Sequence, residues 1–152
     1  MPGLINTHVH LEFSSNTTTL KYGNFMLWLN SVIASRDELV QKATTKLISK
    51  KLEMMQKSGT TTIGAISSYG FELEACLNSP FNTVFFNEVI GSKADMIDTL
   101  FNDFKARLQI QQKSKNESES FFPAIAIHSP YSVHPFLIRE TLNIAREKRL
   151  SC

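Results

Sequence analysis

Hydrophobic and polar positions along this chain alternate between two regimes: short apolar runs of strand length, and longer stretches in which apolar residues recur every three or four positions. The first run, Leu4 to Leu11, follows Pro2-Gly3 and predicts a strand that opens into the polar stretch Ser14 to Thr19. Phe25-Met26-Leu27-Trp28-Leu29 then predicts a short helix over the strand end, with Phe25 and Trp28 as packing residues in preference to a ring-stacking lid. The loop before it is long for a simple connection, and such loops in compact domains usually carry function. From Asp37 to Lys57, Leu39, Val40, Ala43, Leu47, Leu52 and Met55 recur at helical spacing, and Gly59 supplies the stop.

The same alternation continues. Thr60 to Ile66 reads as a second strand, Glu72 to Leu77 as a helix ended by Asn78-Ser79-Pro80, and Thr83 to Ile90 as a buried third strand closed by Gly91. Met96, Ile97, Leu100, Phe101, Phe104 and Leu108 make one helix face, and Gln111 to Ser120 reads as a polar, solvated linker. Phe122 to Ile127 is the fourth strand, and Pro135 suits the first turn of a last helix carrying Leu137, Ile138, Leu142 and Ala145.

Four strand and helix repeats predict an α/β fold with parallel strands and right-handed crossovers. An open sheet would accommodate four units, but each strand here ends in polar groups: His8 and His10, then Ser67 and Ser68, then Glu88, then His128. Barrels of eight such units gather their chemistry at the C-terminal strand ends. The expectation is therefore the first four βα units of a (β/α)8 barrel, residues 1–152 forming its N-terminal half.

Bulk properties narrow the function. The chain has 152 residues, enough for one cored domain, and its net charge of +2 is spread over mixed Lys, Arg, Asp and Glu. No basic block or interleaved aromatic stripe marks a nucleic-acid surface. Cys76 and Cys152 form no disulfide framework or Cys-x-x-Cys pair, which fits a reducing compartment. No stretch has the length of a membrane span or the pattern of a leader, so the expectation is a cytoplasmic protein without membrane or nucleic-acid partners.

His8 and His10 are the sharpest chemical signal. On a strand, residues two apart project from one face, so both imidazoles can reach one metal ion, and neutral imidazole suits zinc and iron. His10-Leu11-Glu12 imitates the opening of a zinc deaminase fold, but no Pro-Cys-x-x-Cys follows to complete that ligand set. A phosphoesterase barrel also begins with His-x-His, yet calls for more early Asp and His ligands than this chain carries.

Pro2-Gly3-Leu4-Ile5-Asn6-Thr7-His8-Val9-His10 and His128-Ser129-Pro130-Tyr131-Ser132 together resemble the amidohydrolase superfamily, in its branch of deaminases and chlorohydrolases acting on nucleobase-like rings. With Leu11-Glu12-Phe13-Ser14 and Phe86-Asn87-Glu88-Val89-Ile90-Gly91 added, the motifs look most like the aminofutalosine deaminases of menaquinone biosynthesis. The resemblance implies hydrolytic deamination of an adenine-bearing nucleoside. It also implies one divalent ion per intact site, zinc or iron, with His8 and His10 as two of its ligands. The remaining ligands and the glutamate acid/base of the family come from the fifth strand onward, so no catalytic residue is carried over to this chain. The family also places a small β-sandwich before Pro-Gly. These comparisons imply a barrel truncated at both ends and inactive alone. The competing readings are a non-catalytic half-barrel that binds metal weakly or needs a partner, and a sister amidohydrolase such as a methylthioadenosine/S-adenosylhomocysteine deaminase or a chlorohydrolase.

Five further residues are candidate substrate contacts, each with a plainer alternative. His128 would touch substrate beside the metal, or cap a strand-helix turn. Glu88, on the strand face opposite Asn87, would contact or orient substrate, or form a salt bridge at the rim. Glu12 would orient a ligand histidine or bind a substrate hydroxyl, or remain a solvated loop carboxylate. Tyr131 and Ser132 would line the pocket or cap the last helix. A small nucleoside and a second copy of the intact protein are the expected partners.

Overall fold

The computed structural model describes residues 2–18 and 20–152, apart from the side chain of Glu117. Thr19, the last residue of the polar stretch after the first strand, lies outside the described residues. Four strands, β1 (Leu4–Val9), β2 (Thr60–Ser67), β3 (Asn82–Val89) and β4 (Phe121–Ile127), form one all-parallel sheet in chain order. Helices fill the crossovers: α1 (Phe25–Lys42), α2 (Thr45–Lys57), α3 (Leu73–Leu77), α4 (Ile97–Ser114) and α5 (Pro135–Lys148). The element types agree with the hydrophobic pattern; two boundaries do not.

The first difference lies in the stretch read as a short helix followed by a long one. Asn24 caps α1 through its side-chain oxygen, which accepts from the Met26 and Leu27 amides, and α1 runs 18 residues, well past Asp37. The chain breaks at Ala43, and Thr44 restarts it as α2 by accepting from the Leu47 amide at 3.3 Å. Apolar spacing continues across the break, which is why period alone does not reveal it. Phe25 also departs from the packing role expected of it. It is 61% exposed, in ring contact with the half-buried Trp28.

The second difference is the linker expected from Gln111. Helix α4 continues to Ser114 and is followed by a 3-10 turn, and Gln111 and Ser114 are buried. The Gln111 amide donates to the carbonyls of Phe85 and Ala124, the latter at 3.2 Å, so one polar side chain joins α4 to both β3 and β4. A buried amide with backbone partners looks the same in sequence as a solvated one.

One sheet face carries the helices. Ile63, Ala65, Phe85 and Phe121 pack with Ile48 and Leu52 of α2 and with Ala75 and Cys76 of α3. Val89 and Ile125 pack with Phe104 and Leu108 of α4 and with Leu137 and Ala145 of α5. The other face bears no helix, and Ile5 and Phe122 stand exposed on it. In a closed barrel that face is the interior. Beyond α5, Arg149 adopts a left-handed conformation, the Leu150 amide closes on the Ala145 carbonyl, and Ser151 pairs in parallel with the outer edge of β4. Among the described residues nothing pairs with the outer edge of β1.

Candidate active site

The helix-free face meets the C-terminal strand ends at a row of polar side chains. Val9 and Leu11 turn toward the helices, so the alternating residues His8 and His10 take the open face. β1 and β2 lose register between Asn6 and Val9, where the Thr7 carbonyl comes so close to Gly64 that a Cβ there would collide with it. A glycine is required at that approach. The strand ends at Val9, and a 3-10 turn, Leu11–Phe13, carries Glu12 back under the histidines.

The two Nε2 atoms lie 3.2 Å apart. Two nitrogens bound to one tetrahedral zinc at 2.0–2.1 Å sit about 3.3 Å from each other, so the pair already has the bite of a shared ion. His10 Nδ1 faces Glu12 Oε1 at 3.2 Å, and Glu12 is fully buried. A carboxylate taking the Nδ1–H leaves the Nε2 lone pair free to ligate, the usual support for a metal-binding imidazole. Burial alone would lower the basicity of His10. Its bond to Glu12, with the charges of Glu12, Glu88 and Glu72, outweighs that and raises it above the ordinary value. Among the described residues no cluster of three or more His, Cys, Asp or Glu is arranged to hold an ion.

Beside the histidines, Ser68 donates to Glu88 Oε2 at 2.5 Å. Asn87 and Glu88 point to opposite faces: Asn87 donates to the Phe104 carbonyl of α4 at 2.9 Å, while Glu88 meets Ser68. Glu88 is buried, and no ion pair to its side chain is found among the described residues. His128 follows β4, with Nδ1 facing Ser132 Oγ at 2.6 Å. The side chain that caps α5 is that of His134, which accepts from the Phe136 amide at 3.2 Å. Tyr131 is 78% exposed and Ser132 half-buried, and neither caps the helix.

Two residues escaped the sequence reading. Arg107 of α4, whose side chain is only 14% exposed, donates to the Ser67 carbonyl, the Asn87 side-chain oxygen and, at 3.1 Å, the Glu88 carbonyl, with Asp103 on its Nε at 2.8 Å. It ties the ends of β2 and β3 together from behind the site. In sequence Asp103 and Arg107 read only as an ordinary surface pair one turn apart. Glu72, at the start of α3, is fully buried with no ion pair at its carboxylate among the described residues, near Ser67 and Arg107. Burial, then the nearby Glu12 charge, pushes it up to about 7. A glutamate in a loop before a short helix gives no sign of such burial. An open cleft of about 490 Å³ runs along the free edge of β1, with His10, Leu11 and Met55 in its wall.

The family model described as "Amidohydrolase family" matches residues 1–151. An aminodeoxyfutalosine deaminase of a Nitratiruptor species is 47% identical over 147 residues, which are 97% of this chain and 36% of that protein. The crystal structure of Helicobacter pylori aminofutalosine deaminase in complex with methylthio-coformycin superposes with a TM-score of 0.88 at 30% identity, over 98% of this chain and 35% of that one. An adenosine deaminase from Xanthomonas campestris with bound zinc shares the fold, at a TM-score of 0.77 and 18% identity, over 99% of this chain and 35% of that one. This chain thus spans about a third of the length of the proteins it matches, whose barrels contain its four-stranded parallel sheet and alternating helices.

Proposed function

Because this chain belongs to the amidohydrolase family, we propose that the whole protein carrying it is a metal-dependent hydrolytic deaminase of adenine-bearing nucleosides, with aminofutalosine as its substrate. The observation that carries the reading is the 47% identity to an aminodeoxyfutalosine deaminase over nearly the entire chain. In the reaction water adds to the ring carbon bearing the amino group, and ammonia leaves, so an aminopurine becomes an oxopurine. The place of this step in menaquinone biosynthesis is part of the same proposal.

His8 and His10 would hold the ion, and zinc is the metal proposed, in keeping with the Nε2 separation and the zinc of a protein sharing the fold. When bound, a divalent ion supplies Lewis-acid activation of the attacking water. Glu12 fixes the tautomer and tilt of His10. Glu88, held by Ser68, presents its other carboxylate oxygen as an acceptor for a substrate N–H or O–H. His128 stands beyond it at the end of β4 as a further polar contact. Tyr131 and Ser132 belong to the loop that borders this end of the site.

Ultraviolet monitoring of adenine-to-hypoxanthine conversion tests the proposal directly. The whole protein should deaminate 6-amino-6-deoxyfutalosine, and methylthioadenosine less well. Turnover of guanine or a triazine with no adenine nucleoside accepted would overturn the substrate assignment. No turnover of any ring would favour a non-catalytic role.

A further inference from the structure

We propose that Ser132, seconded by Ser129, is a positioning residue that holds His128 in the tautomer protonated on Nε2, so that His128 enters the site as a hydrogen-bond donor and not as a base. The functional half of this inference rests on the deaminase reading above. The tautomer half stands on the loop's own geometry.

His128 Nδ1 has two hydroxyl neighbours, Ser132 Oγ at 2.6 Å and Ser129 Oγ at 3.2 Å, and the two hydroxyls lie 2.5 Å from each other. Among the described residues, the other acceptor for the Ser132 hydroxyl is the Ser129 carbonyl, at a long 3.3 Å. Each serine has one proton to give. If Ser129 donates to Ser132 and Ser132 donates to Nδ1, both protons fall in the two shortest contacts and every partner is satisfied. With the proton on Nδ1 instead, Ser132 becomes an acceptor there and must send its own proton either to Ser129 Oγ, turning the Ser129 proton out toward solvent, or along the long contact. The first arrangement is the better one, and it leaves the ring's proton on Nε2.

The loop is built so that Ser132 cannot drift from this position. Its carbonyl accepts from the Gly91 amide at 2.9 Å, its amide donates to the Ser129 carbonyl at 3.2 Å, and the His134 amide donates to the Gly91 carbonyl at 2.8 Å. Gly91 and Val133 thereby continue the β3 and β4 pairing beyond the named strands. Gly91 has φ +135°, and a Cβ there would run into Leu100, so this anchor requires glycine. The His128 amide itself donates to the Val89 carbonyl at 3.2 Å. The imidazole is thus gripped on its Nδ1 edge while its Nε2 edge has no partner among the described residues. An N–H on that edge suits a ring nitrogen of a nucleobase or an oxygen gaining charge as the amino group leaves.

The test is nitrogen NMR of the whole protein labelled with 15N-histidine, with His128 assigned by the signal lost in His128→Gln. The wild-type protein should show a pyridine-like Nδ1 and a pyrrole-like Nε2 at residue 128. Ser132→Ala should draw the two shifts toward each other as the tautomers mix, Ser132→Thr should restore the wild-type pattern, and Ser129→Ala should give a smaller change. In turnover, Ser132→Ala should lower kcat more than it changes KM. A pyrrole-like Nδ1 in the wild-type protein would overturn the assignment, as would shifts unmoved in Ser132→Ala. Because the tautomer is read without substrate, a protein with the expected shifts and no deaminase activity would sink the functional reading while leaving the role of Ser132 intact.

Discussion

At the β1 end of the open face, His8 and His10 stand on a strand with two register breaks and a free outer edge, whereas Ser68 and Glu88 stand at the ends of strands in unbroken register, tied from behind by Arg107, Asn87 and Gln111. The two regions meet the same demand in different ways. Around Glu88 the chain supplies its own rigidity through buried bonds to backbone carbonyls, which hold a side chain to the tolerance a site needs. Around the histidines the ordering contacts among the described residues are few: Glu12 at His10 Nδ1, the Phe13 ring beside His10, and Asn6 at the His8 amide; an ion bound as proposed would add to them. A site can therefore be half pre-organised by packing and half by what it binds.

The sharpest way to break this contrast is to remove the clamp. Arg107→Ala leaves the Ser67 and Glu88 carbonyls and the Asn87 side-chain oxygen without their donor, a loss of about 3–4 kcal/mol of unfolding free energy. Arg139, whose pairing with Glu140 is exposed, is the control: its alanine variant should change stability by about 0–0.5 kcal/mol. Urea titration of both variants decides it, and equal losses would remove Arg107 from its role behind Glu88.

A second measurement sharpens the contrast through pH. Glu72 is buried between the two regions, and its folded-state value of about 7 lies above the ordinary 4.5, because burial and the Glu12 charge outweigh the nearby Ser67 hydroxyl and Arg107. A raised carboxyl contributes stability that is fully present below about 4.5 and is lost as pH rises through about 7. Relative to Glu72→Gln, the wild-type protein should lose about 3 kcal/mol between pH 4.5 and 8. Parallel stability profiles for the two proteins would show that Glu72 does not ionise inside the fold.

The smallest effect concerns the carboxylate that orients His10 at the β1 end. Glu12→Ala should weaken zinc binding by about 10–100-fold, the range for losing a carboxylate behind a ligand histidine. Competition with a chelator of known affinity measures it. Unchanged affinity would mean that His10 is oriented by something other than Glu12.

How legible all this is in sequence depends on the kind of interaction. Leu4, Ile63, Phe85 and Ile125 sit in apolar runs whose length marks strands, and the sheet follows from their repetition. His8 and His10 are legible because strand geometry alone puts residues two apart on one face. The opposed faces of Asn87 and Glu88 follow from the same rule. The break between α1 and α2 is hidden because Leu39, Ala43, Leu47 and Leu52 keep helical spacing through it. Gln111, Arg107 and Glu72 are hidden for a different reason: Gln111 and Arg107 owe their places chiefly to backbone carbonyls from distant strands, and Glu72 to burial, neither of which leaves a mark in local sequence.

As proposed, His8 and His10 share one ion in a deaminase site. Metal analysis of the whole protein, run beside an ammonia-release assay on the same samples, tests it most directly. The wild-type protein should carry about one divalent ion per chain, and the His8→Ala, His10→Ala double variant should lose nearly all of it together with turnover of adenine nucleosides. Stoichiometric metal retained in the double variant would contradict the assignment of these two histidines.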